Sequence, residues 1–236
     1  MVAEGKETLF TCKDFAERMD HSLLRPAFED KDYERFVEQV LKYRFGAAHI
    51  APCYLARLIS DVARSGIRVG IPVGFPFGNT ATSVKVREIT YAKELGAREF
   101  DVMINICALK SRRSKYVLDE LRSCAQAGEE MGRRVILECH YLSDDEKRLA
   151  CELAAAAGME YVKTSTGYAP TGATLEDVKL LRASIPETMK VKAAGGIRDL
   201  EFALALIRAG AERLGVSRGH LLVDEFKLNY PNGIEL

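Results

Sequence analysis

DDEKRLACELAAAAGMEYVK, residues 144–163, joins an amphipathic helix to a short strand through one glycine. Helical periodicity runs over Asp144–Ala157, Gly158 sits where a left-handed residue ends a helix, and Tyr161–Lys163 reads as a strand. The unit recurs along the chain. Helical patterns cover Asp32–Tyr43, Tyr54–Ser65, Thr82–Leu95, Tyr116–Met131, Leu175–Ala183 and Leu200–Ala209, with Gly46, Gly66, Gly96, Gly132 and Gly210 just past five of them. The matching strands are Ala48–Ile50, Val69–Val73, Phe100–Ile104, Val135–Cys139, Lys190–Ala193 and Arg213–Val216. Ser22–Leu24, preceded by a helix near Lys13–Met19, supplies the eighth. Strands alternating with helices pair in parallel. Eight such units in 236 residues fit a (β/α)8 TIM barrel with an extra N-terminal helix, a fold of about 250 residues. A doubly wound open sheet is the alternative. No Pro/Ser-rich linker interrupts the chain, so residues 1–236 read as a single domain.

Composition narrows the function. Lys+Arg and Asp+Glu are both 34, and no block of like charge stands out, which argues against nucleic acid or an anionic membrane as partner. The opening Met1-Val2-Ala3-Glu4-Gly5-Lys6-Glu7 lacks a signal-peptide pattern, and no apolar run approaches the ~18 residues of a membrane span. Cys12, Cys53, Cys107, Cys124, Cys139 and Cys151 are scattered without a CxxC pair, as expected of free thiols in a reducing compartment. The expected location is cytoplasmic.

Strand side chains alternate between faces. In Glu99-Phe100-Asp101-Val102-Met103-Ile104-Asn105 the even positions are apolar and suit the helix layer, which turns Glu99, Asp101, Met103 and Asn105 toward the barrel axis. Arg134, Glu138 and His140 share one parity in the fifth strand; Tyr161 and Lys163, and Lys190 and Lys192, alternate with valine. A barrel interior normally holds branched apolar side chains. Here charge of both signs points inward. Glu99 and Lys190 read as strand-end residues in water, whereas Asp101, Lys163 and Lys192 read as site residues, because barrel enzymes place their chemistry at the C-terminal ends of strands.

Strands six and seven are neighbours, so Lys163 and Lys192 come within several ångströms, and Asp101 completes a proton network. Burial and a second ammonium both favour a neutral amine, and a neutral lysine condenses with a carbonyl to an imine. That imine is an electron sink for making or breaking a C–C bond, with a carboxylate moving protons. A structural Lys–Asp–Lys salt-bridge network fits the same residues. Gly195-Gly196-Ile197 after strand seven and Gly215-Val216-Ser217-Arg218-Gly219 after strand eight offer unobstructed backbone N–H groups, and the second adds a hydroxyl and a guanidinium. Loops after these two strands are a common phosphate site in such barrels. Val73–Gly78 and Thr166–Ala173 are further glycine loops able to border the mouth. His21, His49, His140 and His220 show no metal-ligand spacing, so no metal is implied, and no nucleophile elbow supports serine catalysis.

With these residues the chain resembles the deoxyribose-phosphate aldolase family. The resemblance is carried by Asp20–Pro26, Val73–Gly78, Glu99–Asn105, Lys163–Gly167, Lys192–Ile197 and Gly215–Arg218, and spans about residues 15–220. It implies a cofactor-independent lyase that reversibly cleaves 2-deoxy-D-ribose 5-phosphate to acetaldehyde and D-glyceraldehyde 3-phosphate. Lys163 would form the Schiff base, Lys192 tune it, Asp101 relay protons and Thr166 hydrogen-bond near the imine. Gly167 borders that site, and Gly195, Gly196, Gly215, Ser217 and Arg218 match phosphate-binding positions. A homo-oligomer, dimer or tetramer, is implied as well. Three positions depart from the family: His49 replaces part of a cysteine-containing segment, His140 follows strand five, and Val216 stands where threonine is common. Both histidines favour a related class I aldolase for another phosphorylated sugar or aldehyde. A sugar-phosphate binder without catalysis, and a phosphate-binding isomerase that forms no imine, are the other readings.

Overall fold

A computed structural model describes residues 9–236. The opening Met1–Glu7, read above for a signal peptide, lies outside the described residues, as do the first eight positions of the expected domain.

Ahead of the barrel stands α1 (Cys12–Glu17), the expected extra helix, started by a Thr11/Asp14 capping box. There follow β1 (Met19–Leu23), α2 (Asp30–Tyr43), β2 (Ala47–Ile50), α3 (Leu55–Val62), β3 (Arg68–Val73), α4 (Thr82–Leu95) and β4 (Glu99–Met103). The second half runs α5 (Ile106–Lys110), α6 (Ser114–Ala127), β5 (Gly132–Ile136), α7 (Asp144–Ala156), β6 (Tyr161–Lys163), α8 (Leu175–Ser184), β7 (Lys190–Ala194), α9 (Leu200–Arg208), β8 (Ala211–Val216) and α10 (Gly219–Asn229). The strands close in chain order into one barrel, every pairing parallel, with β8 returning to β1. This is the (β/α)8 barrel expected, and the open sheet is excluded.

Chain chemistry explains most boundaries. Gly96 ends α4 at φ 102°, a conformation closed to most L residues, and its N–H closes the last turn on Ala92 and Lys93. Two of the expected glycine stops act differently. Arg44 itself takes the left-handed position after α2, leaving Gly46 to open β2, and α6 stops at Gly128, leaving Gly132 to begin β5. The fifth strand therefore runs earlier than Val135–Cys139. It ends at Ile136 because Glu138 turns left-handed and Cys139–Tyr141 coils into a short 3-10 turn. Helices α5 and α10 are additions: Asn105 caps the first, and the second buries Leu222, Val223 and Phe226 at helical spacing.

Valines on the outward parity, Val102, Val135, Val162 and Val191, are fully buried against the helix layer. The inward parity carries charge. Asp20, Glu99, Asp101, Arg134 and Lys192 are each no more than 1% exposed. Ions so placed lose several kcal/mol of hydration each and persist only when paired. Hence their pairing defines the site.

Candidate active site

Register places the two lysines. Lys163 and Lys192 are direct partners across β6 and β7, so both side chains enter the barrel at one level. Each donates from Nζ to the same oxygen, Oδ2 of Asp101 on β4, at 2.7 Å. Lys192 is also 2.6 Å from Oδ2 of Asp20 on β1, whose Oδ1 accepts from Arg213 Nε at 2.9 Å and from Nη2. Lys192 thus lies between two carboxylates. Lys163 has one, and shares it.

That asymmetry separates the two amines. Burial pushes the Lys163 amine below the ordinary lysine value; Asp101 pulls it back and the Lys192 ammonium pushes it down again. Asp101 pays a desolvation penalty, yet the two lysines hold its carboxyl well below the usual range. A buried amine whose basicity is lowered, beside a carboxylate that can move protons, has the surroundings imine formation requires.

Beneath this pair a second tier fills the barrel. Glu99 Oε2 lies 2.9 Å from Arg134 Nη1 and 3.4 Å from His49 Nε2, and Arg68 Nε is 3.3 Å from Oε1. Glu99 is therefore enclosed, not a strand end in water as its position suggested, because Arg68 reaches under the barrel to cover it. Lys190 is exposed, as expected. Asp20, His49 and Glu99 present ligand atoms within 4.8 Å of one another. Lys192 and Arg134 already neutralise those carboxylates, so the set does not suit a divalent cation.

At the mouth, the loops after β6 and β7 pack backbone to backbone. Gly167 and Gly195 are left-handed at φ 88° and 87°, and a Cβ on Gly195 would stand 3.1 Å from Gly172 Cα. Gly196, Ser217 and Arg218 are exposed beyond β7 and β8. No side chain caps the start of α10 at Gly219, which leaves its first N–H groups open beside Ser217 and Arg218. Gly215 lies within β8 rather than in the loop. A Cβ there would come 2.8 Å from Ala194 Cβ and 3.3 Å from Lys192 Cε, so its bareness gives Lys192 room. Thr166 donates its hydroxyl to Glu138 Oε2, and Phe75 meets Tyr168 edge-on at 5.4 Å on the rim. His140 is exposed and bonds Thr171 Oγ1 at 2.8 Å. His49 is sealed below the lysines, not at the mouth.

Residues 15–222 match the description "DeoC/LacD family aldolase". The chain belongs to this aldolase family. A deoxyribose-phosphate aldolase of Dictyoglomus turgidum is 39% identical over 211 residues, 89% of this chain and 96% of that protein. One from Thermococcus gammatolerans is 42% identical over 215 residues, again 89% and 96%. The tetrameric deoxyribose phosphate aldolase structure from Aeropyrum pernix superposes with a TM-score of 0.84 at 30% identity, covering 93% of each chain. This protein is accordingly an aldolase, a lyase by reaction class.

Sequence reading of the aldolase singled out Asp101, Lys163 and Lys192 and missed what surrounds them. Asp20 stood inside a quoted motif without a role. Arg213 was a strand residue only. Their signal was available in part: both are charges on strands otherwise rich in apolar residues. A cavity of about 1100 Å3 opens on the opposite face near Arg44, Gly46, Gly66 and Arg68. None of the aldolase's lysine chemistry borders it, and that end of such barrels generally serves stability.

Proposed function

We propose that this chain is a class I deoxyribose-phosphate aldolase that reversibly cleaves 2-deoxy-D-ribose 5-phosphate to acetaldehyde and D-glyceraldehyde 3-phosphate. The observation that carries this reading is the shared oxygen: Lys163 and Lys192 both bind Asp101 Oδ2 at 2.7 Å, while only Lys192 has a second carboxylate. Lys163 is the amine that forms the Schiff base. Lys192, set between two carboxylates, is the neighbour that presses Lys163 toward neutrality. Asp101 touches both nitrogens and moves protons between them and the bound substrate.

Thr166 and Gly167 border the imine. Gly195, Gly196, Ser217 and Arg218, with the open start of α10, receive the phosphate, a use of helix N-termini and bare backbone that suits an anion. Gly215, matched by the family resemblance to a phosphate-binding position, lies within β8 and also leaves the space that Lys192 fills. The 236 residues act as one barrel unit in the cytoplasm, and no helix of the described residues is long and apolar enough to cross a membrane. The tetrameric Aeropyrum pernix relative supports a homo-oligomer, which light scattering of the purified protein would measure.

Borohydride reduction in the presence of deoxyribose 5-phosphate, followed by intact mass and peptide mapping, tests the mechanism. A reduced adduct on Lys163 is expected. If neither this sugar nor acetaldehyde traps, the aldolase assignment of Lys163 fails. One observation favours a second reading: His140 stands exposed at the rim, where it could meet a different phosphorylated aldehyde. Product analysis with alternative aldehydes separates the two.

A further inference from the structure

Glu138 is a buried carboxylate that the lysine chemistry leaves unused. It follows β5 at the C-terminal mouth of the barrel and is 2% exposed. Its backbone is left-handed, φ 56° and ψ 68°, a conformation that residues other than glycine and asparagine seldom adopt. The flanking chain enforces it. Leu137 N–H donates to Lys163 O at 2.9 Å and Cys139 N–H to Thr164 O at 2.9 Å, so Glu138 is pinned on both sides to β6 and the loop after it. Strain that is over-determined in this way collects at functional positions.

Its two oxygens are used unequally. Oε2 accepts the Thr166 backbone N–H at 3.2 Å and also the Thr166 hydroxyl. Oε1 is buried with no partner. A hydroxyl has one proton and two acceptor positions. On Thr166 the proton goes to Glu138, and one acceptor position takes the Tyr168 N–H at 3.0 Å. One lone pair remains.

We propose that Glu138 is a positioning residue that makes Thr166 a hydrogen-bond acceptor toward a substrate hydroxyl, and so selects hydroxylated over deoxygenated substrates at that point. The proposal rests on the aldolase reading of Lys163. Its logic is directional: while Glu138 is a carboxylate it can only accept, so the Thr166 proton is committed inward. Once protonated, Glu138 can donate to Thr166, and the hydroxyl is freed to donate outward, the wrong sense for a substrate O–H. The charged and titratable groups bearing on Glu138 are Lys163 on β6 and His140 in the following turn. Burial raises the Glu138 carboxyl above its ordinary value, against the pull of Thr166 and Lys163, which brings this change nearer to working pH.

The test compares wild type, Glu138→Gln, Thr166→Val and the double variant in kcat/KM for deoxyribose 5-phosphate across pH, in borohydride trapping with acetaldehyde, and in thermal unfolding. Each single variant should lose about tenfold in kcat/KM, the scale of one directed hydrogen bond, and the double variant little more. Trapping on Lys163 should persist in all of them. Glu138→Gln should also lose the acidic limb of the wild-type profile that the carboxyl creates. Because the raised carboxyl disfavours the folded state once it ionises, Glu138→Gln should keep or raise the midpoint of unfolding at pH 8, which a merely structural residue would not do. Wild-type kcat/KM and profile in Glu138→Gln, or independent losses that multiply in the double variant, would overturn the proposal. A wild type that traps neither deoxyribose 5-phosphate nor acetaldehyde would instead bring down the aldolase reading, and this proposal with it.

Discussion

Lys163 and Lys192 are the same residue type at the same barrel level, and their carboxylate neighbours alone tell them apart. Lys192 lies 2.6 Å and 2.7 Å from two carboxylates, whereas Lys163 shares one of those with it. In Lys192→Met the competing ammonium is gone and Asp101 serves Lys163 alone, so both changes raise the Lys163 value. The rise in imine formation with pH should move to higher pH, with at least about a tenfold loss at neutrality; the pH dependence of borohydride inactivation reads this directly. Lys163→Ala should trap nothing. The meeting of this pair was legible because two lysines ended neighbouring strands on inward parity. The part played by Asp20 was not, since a carboxylate in an Asp-His-Ser stretch is indistinguishable from a strand-end charge until the barrel closes β1 against β8.

At the level of elements, two packing contacts are open to test. Gly215 on β8 faces β7, where a methyl group would meet Ala194 and Lys192. Gly215→Ala should cost roughly 1–3 kcal/mol from overpacking and lower kcat by displacing Lys192; denaturant unfolding and steady-state rates check the two effects. Between α4 and α6, Lys85 and Glu120 form a fully enclosed pair at 2.7 Å, with Lys85 also donating to Met103 O. Lys85→Met strands the Glu120 carboxylate and should cost about 3–5 kcal/mol, read from urea melts. Periodicity located both helices, α4 to the residue, yet gave no hint of that pair. A lysine on an amphipathic helix is ordinarily solvated, and only the neighbouring helix decides otherwise. The fifth strand was misplaced by the opposite effect: Val135–Cys139 is apolar enough to extend, but Glu138 turns left-handed, held there by the Leu137 and Cys139 N–H bonds to β6 and the loop after it.

Taken as a whole, the barrel is a closed cylinder around buried ions, and its response to acid follows. Asp20 and Asp101 are held well below the usual carboxylate range and Glu99 at about 2, in each case by lysine or arginine partners that outweigh burial. Unfolded carboxyls bind protons below about pH 4 while these three do not, so the unfolded state gains protons first. Their stabilisation is complete above that pH and should drain away below it, by up to about 4 kcal/mol per pH unit for three groups. Acid unfolding followed by circular dichroism should show a steep loss below about pH 4, and a flat response there would refute it. Local periodicity and short motifs suffice for the alternation of helix and strand, for the inward parity of Asp101, Lys163 and Lys192, and for the family. Only closure of the barrel encloses Glu99, puts His49 under the lysines and sets Asp20 and Arg213 behind Lys192. Those facts depend on which strands face one another across a closed barrel, and on the burial that makes each unpaired charge too costly to keep.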